Sequence, residues 1–237
     1  FINDLDFKPF FSYLKSVGPD EIPGWLLKKS ISVLGPVLIF IYNFSLQNSV
    51  FPDLWKKCLV RPIPKVPVPK SPNEIRPISL LCAASKPLER YVFTNVYDFL
   101  NEKGLLDPLQ SGFRAGYSTQ SAALKLVHDL SKSVDGRKVT IIVLFDLTKG
   151  FDLVNRSKLL FKMAELGLSQ SVVDWFGSYL SNRAQTVLGD GIRSAWSYNH
   201  AGVPQGSVLG PLAFICYINS LSKILINCRY HLYADDL

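Results

Sequence analysis

Tyr233-Ala234-Asp235-Asp236 sets two carboxylates side by side behind a run of strand-forming residues that includes Cys228, Tyr230 and Leu232. Adjacent acids repel, so a carboxyl pKa rises or a cation joins them. A third acid, Asp146, closes the apolar run Val139-Thr140-Ile141-Ile142-Val143-Leu144-Phe145. Both runs predict strands, because β-branched and aromatic residues suit a pleated, half-buried surface. Acids at the ends of two strands are what a two-metal phosphoryl-transfer centre needs. Each feature alone has a plainer reading: a helix cap or turn at Asp146, a solvated turn at Asp235 and Asp236. Their conjunction favours a site. Tyr233 and Phe151 add aromatic walls, and Gly202-Val203-Pro204-Gln205-Gly206-Ser207 adds a flexible turn with a polar amide.

The 237 residues are enough for a sizeable core in one large domain or two small ones. Hydrophobic residues make up 48% and charged residues 19%, which excludes a disordered chain. The longest apolar run, Val33 to Phe44, is interrupted by Gly35 and Pro36 and is too short to span a bilayer. The chain starts at Phe1 without a basic segment before an apolar stretch, so a signal peptide is not expected and the chain reads as a fragment. Cys58, Cys82, Cys216 and Cys228 fit neither zinc pairs nor a redox motif, and read as free thiols in a reducing compartment. His128, His200 and His231 are equally scattered. Net charge is +7, and the stretch Lys56–Arg90 holds eight bases against two acids. Such a stripe suggests polyanion contact, with a solvated basic face as the alternative.

Gly18-Pro19-Asp20 predicts a bend before a helix near Trp25–Ser30, and 31–49 reads as an apolar helix with Pro36 in its first turn. Six prolines between Pro62 and Pro77 preclude a helix there and leave Leu59–Pro64 and Ile75–Leu81 as short extended segments. Leu88, Val92, Val96 and Leu100 mark a helix over Ala84–Asn101. A second, capped by Ser118 or Thr119, buries Ala122, Ala123, Leu126, Val127 and Leu130 on one face. Further helices are expected over Arg156–Leu168, Gln170–Leu180 and Leu212–Ile224. Asp190-Gly191 predicts a hairpin between Gln185–Gly189 and Ile192–Tyr198, and the last strand runs over 228–233. Intermixed helices and strands make the class α+β or mixed α/β.

In sequence order these blocks resemble the reverse transcriptases of non-long-terminal-repeat (LINE-type) retrotransposons, most of all the jockey-like group. Gly18-Pro19-Asp20 with Ile22-Pro23 resembles the family's N-terminal element. Pro62-Ile63-Pro64-Lys65, Arg76-Pro77-Ile78-Ser79-Leu80-Leu81, Lys86 and Glu89-Arg90 resemble the fingers, and Gln110-Ser111-Gly112-Phe113-Arg114 with Thr119 the next block. Phe145-Asp146 through Phe151-Asp152 resembles motif A, Ala201 through Pro211 motif B, and Tyr233-Ala234-Asp235-Asp236 motif C.

The resemblance implies an α+β right-hand polymerase. It has an N-terminal helical extension over 1–58, fingers over about 59–138 and a palm over about 139–237, with an antiparallel palm sheet packed on helices. It implies that Asp146, Asp235 and Asp236 are catalytic and hold two Mg²⁺ ions, with Mn²⁺ as the alternative, about 3.5–4 Å apart. Lys65, Arg76, Phe151, Gln205 and Gly206 would contact the dNTP: the two bases on the triphosphate, Phe151 against a 2′-hydroxyl, Gln205 near sugar and base. Tyr233 and Arg114 would contact nucleic acid. The partners implied are an RNA template, a DNA primer and dNTPs, with no membrane, and the setting is the nucleus and a cytoplasmic ribonucleoprotein. Gly150 stands where the family commonly has Ala, and Ser220 where Asp is common. A returning strand, a thumb and an upstream endonuclease are expected beyond the residues present. The alternative reading is a decayed or domesticated copy that binds RNA without polymerising.

Overall fold

The computed structural model describes residues 17–189 and 191–236. The expected bend closes with Glu21 N donating to the Gly18 carbonyl at 3.1 Å. Helix α1 (Gly24–Lys29) and α2 (Ile31–Gln47) follow almost end to end. Pro36 lies inside α2 rather than in its first turn, so one backbone bond is forgone there. Strands β1 (Lys57–Pro64) and β2 (Ile75–Leu81) pair antiparallel, with Pro62 opposite Pro77. The loop between them carries the remaining prolines, which is why the ladder stops at Pro64 and Ile75.

Helix α3 (Ser85–Glu102) buries Leu88, Val92, Val96 and Leu100, the fourfold set that the sequence marks. Each such burial contributes about 1.5–3 kcal/mol. Around this stripe gather α5 (Arg156–Glu165), α6 (Gln170–Leu180) and α7 (Gly210–Ile218), while α4 (Thr119–Asp135), which precedes α5 in the chain, contributes nothing to this cluster. Phe51 meets Tyr179 at 4.9 Å and Trp175 at 5.5 Å, both edge to face, and fixes α6 against the end of α2. Strand β3 (Arg183–Gly189) lies parallel to β1 and pairs antiparallel with β4 (Ile192–Arg193) and β5 (Ser197–Asn199). The β3–β4 hairpin stands where Asp190-Gly191 predicts it, although Asp190 itself lies outside the described residues.

Four expectations need correction. The segment 139–145 forms no ladder, and Val139, Ile141 and Leu144 are exposed. Residues 228–231 likewise form none, and only Leu232 and Tyr233 make isolated bridges. Strand preference reflects packing against neighbours, and no described strand lies beside 139–145. Helix α4 forms and is capped by Ser118, yet none of its residues is buried; a cavity of about 320 Å³ separates Leu126 and Leu130 from Ile142 and Tyr230. Helix α7 is α-helical only to Ile218 and continues as a 3-10 helix over Asn219–Lys223, where the Asn219 side chain accepts from Asp107 N and donates to the Leu105 carbonyl, both at 2.8 Å. The α+β class stands, and the sheet that forms is mixed in direction and belongs to β1–β5.

Candidate active site

The two acidic blocks meet through backbone. Asp146 and Asp236 form an antiparallel bridge, and Leu147 N donates to the Asp235 carbonyl at 3.1 Å. That bonding makes Asp146 and Asp236 a non-hydrogen-bonded pair, whose Cα atoms lie about 4.5 Å apart with side chains on one face. Asp235 sits over the motif A turn, since a Cβ on Gly150 would come 3.4 Å from its own Cβ. The same hypothetical Cβ would press on the Phe214 ring at 3.2 Å, which accounts for Gly rather than Ala at 150. The Asp236 carboxyl is pushed above its ordinary range by partial desolvation, then by the charges of Asp235 and Asp146.

The tip that carries Asp235 is held from behind. Tyr233 and Asp236 exchange both backbone bonds, at 2.8 and 3.0 Å, around Ala234 and Asp235. Ala234 takes φ 55°, a left-handed conformation that costs a residue with a Cβ of order 1–2 kcal/mol. Such strain persists where the surroundings over-determine it. The buried Gln110 does so: its Oε1 accepts from Ala234 N at 2.9 Å and its Nε2 donates to the Ala234 carbonyl at 3.3 Å. Oε1 also accepts from Gly112 N at 2.7 Å. Ser111 N donates to the Leu232 carbonyl, completing a short parallel pairing. A Cβ on Gly112 would lie 2.1 Å from Ala234 N, so only glycine allows this approach. The Gln110–Gly112 block is visible in the sequence, but its role as the clamp of the acidic turn was not.

Phe151 and Gln205 are brought together. Val203 N donates to the Phe151 carbonyl at 2.9 Å, which lays motif B along the motif A turn. Phe151 is half-buried, stacked on Phe214 at 4.5 Å and edge-on to Phe113 at 5.7 Å. The Gln205 side-chain amide donates to Asp152 Oδ1 at 2.9 Å, and the Gln205 backbone carbonyl accepts from Ser79 N at 2.7 Å. Gly206 takes φ 100°, and a Cβ there would lie 2.9 Å from the Ser79 carbonyl. Arg156 ties the lead-in strand to α5 by donating to the carbonyls of Gly202, Asn199 and Ala201. Burial, then the neighbouring Arg183 charge, lowers its pKa to about 10. Neither Asp152 nor Arg156 stood out in the sequence as holding motif B.

Lys65 and Arg76 lie exposed at the loop end of the β1–β2 hairpin. The register sets Arg61 opposite Ile78 and Ile63 opposite Arg76, so these four side chains share one face. Ile78 on that face is the neighbour that a Cβ on Gly206 would meet at 3.4 Å. That face borders motif B at Gly206, while Pro77 and Ser79 on the opposite face line a cavity with Gln205. Arg114 is engaged within the fold: it donates to the Asp107 carbonyl at 2.8 Å and covers the Tyr117 ring at 4.8 Å. Tyr233 is half-buried beside the aspartates.

Hard carboxylate oxygens suit Mg²⁺, and the mutual repulsion at Asp236 is what a dication relieves. The backbone collects the three aspartates. Among the described residues, however, no three acid, thiol or imidazole side chains converge at metal-ligand distances.

A family model described as reverse transcriptase (RNA-dependent DNA polymerase) matches residues 63–237. The chain is 33% identical to a probable RNA-directed DNA polymerase from transposon BS of Drosophila melanogaster, over 94% of this chain and 25% of that protein. It is 31% identical to the probable polymerase of the X-element of the same fly, over 88% and 23%, and 28% identical to that of the mobile element jockey, over 78% and 20%. The chain thus spans about a quarter of the length of these relatives. In fold it is similar to an apo telomerase from Candida tropicalis truncated from its C-terminal domain, with TM-score 0.54 at 14% identity over 85% of this chain and 48% of that one. Its acidic blocks meet in space as they do in sequence order, and the family match runs through all of them: the chain belongs to the reverse transcriptase (RNA-dependent DNA polymerase) family, among those of non-long-terminal-repeat retrotransposons.

Proposed function

We propose that this chain supplies the fingers and palm of an RNA-directed DNA polymerase, which transfers nucleotides from dNTPs to a DNA primer on an RNA template. The observation that carries this reading is the antiparallel pairing of Asp146 with Asp236, residues ninety positions apart. Asp146, Asp235 and Asp236 would hold the divalent ions. When bound, two Mg²⁺ ions lower the pKa of the primer 3′-hydroxyl and offset the charge of the leaving pyrophosphate. Arg76 and Lys65, exposed beside the β1–β2 loop, bind triphosphate oxygens as a planar fork and a point charge. Phe151, held between Phe113 and Phe214, stands as the wall that a 2′-hydroxyl would strike. Asp152 orients the Gln205 amide toward the sugar and base pair.

The test is primer extension on a primed RNA template with dNTPs and Mg²⁺, using the chain alone and grafted into the matching segment of the jockey polymerase. Asp146→Asn should reduce the rate at least about a hundredfold, since a metal centre supplies several kcal/mol. It should also weaken Mn²⁺ binding by the isolated chain in spin-resonance titrations. Full extension by the variant would reject the assignment. A graft that shifts RNA in gels yet extends no primer would instead favour the RNA-binding reading.

A further inference from the structure

Glu89 is fully buried on α3, in a place where the aspartate site makes no use of it. A buried carboxylate is costly unless its oxygens are occupied. Those of Glu89 are. Oε1 accepts from Ser85 Oγ at 3.2 Å, and Oε2 from Tyr179 Oη at 3.3 Å. Oε2 also accepts from two backbone groups, Val208 N at 3.0 Å and Leu209 N at 3.4 Å. The last two matter most. Val208 and Leu209 lead into α7, whose N-cap Leu209 has no side-chain cap of its own. The first N–H groups of a helix lack intrahelical partners, and a negative charge beside them is favourable. Glu89 caps α7 from another helix.

The cap fixes one end of the loop that bears Gln205. The other end is fixed by Ser79 N on the Gln205 carbonyl at 2.7 Å. Ser207 Oγ braces the middle, donating to the Pro204 carbonyl at 2.8 Å and accepting from Gly210 N at 2.9 Å. A Cβ on Gly210 would lie 2.8 Å from the Pro204 carbonyl, so the loop has no slack. Behind Glu89, the Arg183 guanidinium lies 4.9 Å over the Tyr179 ring and donates to the Tyr179 carbonyl at 2.9 Å. The chain Arg183–Tyr179–Glu89 therefore links β3 and α6 to motif B through buried contacts. Burial raises the Glu89 pKa, and the Arg183 charge, the Val208 and Leu209 amides and Ser85 oppose that rise; Lys86 and Tyr179 also face the carboxyl.

We propose that Glu89 is a positioning residue of the nucleotide site: its carboxylate sets the height of the 204–210 loop and so holds Gln205 where an incoming dNTP is read. This rests on Gln205 contacting the nucleotide. Glu89→Gln keeps the shape but replaces charge-assisted bonds by neutral ones about half as strong.

Two measurements on the chain separate the claims. Amide exchange in the unmodified protein should show Val208 and Leu209 protected like α3. In Glu89→Gln both should exchange about tenfold faster while α3 is unchanged. Calorimetric titration with Mg²⁺–dCTP should then show affinity lowered about tenfold by Glu89→Gln and by Gln205→Ala. In the grafted polymerase the same loss should appear in KM rather than kcat. If Gln205→Ala leaves dCTP affinity intact, the nucleotide reading of the loop fails, whatever Glu89 does. If Gln205→Ala weakens binding and Glu89→Gln does not, the positioning role is wrong. Should Glu89→Gln fail to fold, Tyr179→Phe removes one donor from the same oxygen and keeps the packing; it should shift exchange and affinity about threefold in the same sense. Loop-like exchange of Val208 and Leu209 in the unmodified protein overturns the proposal outright.

Discussion

Asp146 and Asp236 are drawn together by a single bridge, so the position of the acidic turn depends on a few residues that carry no charge. Gly112 is the most exacting of them. Ala at 112 would place a methyl group 2.1 Å from Ala234 N, which backbone cannot tolerate without moving. Overpacking of this kind costs about 1–3 kcal/mol and here involves backbone on both sides. Gly112→Ala should therefore lower unfolding free energy by about 3 kcal/mol in urea titration and weaken Mn²⁺ binding as well. Gln110→Ala leaves Ala234 N and Gly112 N without their shared acceptor. A buried donor left unpaired costs about 1–3 kcal/mol, and the strained Ala234 is then free to relax. A loss of stability without any loss of Mn²⁺ affinity would show that the clamp does not set the acidic turn. Phe151 belongs to a different problem, shape rather than position. Its ring is gripped by Phe113 and Phe214, so Phe151→Val opens space beside the motif A turn. Selectivity set by one small group spans about 10–200-fold. The grafted polymerase carrying Phe151→Val should gain at least about tenfold in use of GTP relative to dGTP, and no gain removes the gate role.

Secondary elements show what the sequence carries and what it leaves to context. The fourfold spacing of Leu88, Val92, Val96 and Leu100 reports burial directly, because a helix repeats its face within its own chain. The prolines around 62–77 are equally direct, since each removes a donor whatever surrounds it. Strands are different. Val139–Phe145 has every local mark of a strand, but a ladder needs a neighbour, and that is not written in the segment. Long-range clamps are least legible. Gln110, Asp152 and Glu89 each act on a residue more than fifty positions away, and their hydrogen bonds have no period. One such contact is sensitive to pH. Asp129 Oδ2 on α4 accepts from His231 Nε2 at 3.0 Å, and Arg229 lies at 3.5 Å. The hydrogen bond to His231, with smaller help from Lys125 and Arg229, holds the Asp129 carboxyl below its ordinary 3.8. A depressed carboxyl contributes above its unfolded pKa and loses that contribution as pH falls through the folded value. Below pH 3.8 the segment before Tyr233 should detach from α4. The Leu232 amide should lose protection there while α3 keeps its own. In Asp129→Asn, Leu232 should be less protected at neutral pH and show no such acid step; an unchanged step would exclude this pair.

Across the molecule the charge of +7 has a definite place. The sequence marks eight bases between Lys56 and Arg90, but the fold divides them. Lys56 is buried and paired with Asp53 at 2.8 Å, Lys57 covers Trp196 at 5.7 Å, and Lys86 and Arg90 lie on α3. Arg61, Lys65, Lys70 and Arg76 are exposed on the β1–β2 hairpin and its loop, and none is in an ion pair among the described residues. The register puts Arg61 and Arg76 on the face that borders motif B at Gly206. A polyanion that meets the hairpin would therefore contact these four cations rather than the whole stripe. Each phosphate neutralised on a single strand contributes about 0.7 to the slope of log K against log salt. Replacing all four by Gln should lower the slope by about 3 in anisotropy titrations with a short single-stranded RNA at several salt concentrations. Replacing Lys28, Lys29, Lys132 and Lys138 instead changes net charge by the same amount. That control should lower the slope much less, because charges remote from the bound strand displace few counterions and act only through a field that salt screens. Equal loss of slope in both variants would mean that nucleic acid responds to total charge and that the hairpin is no specific contact.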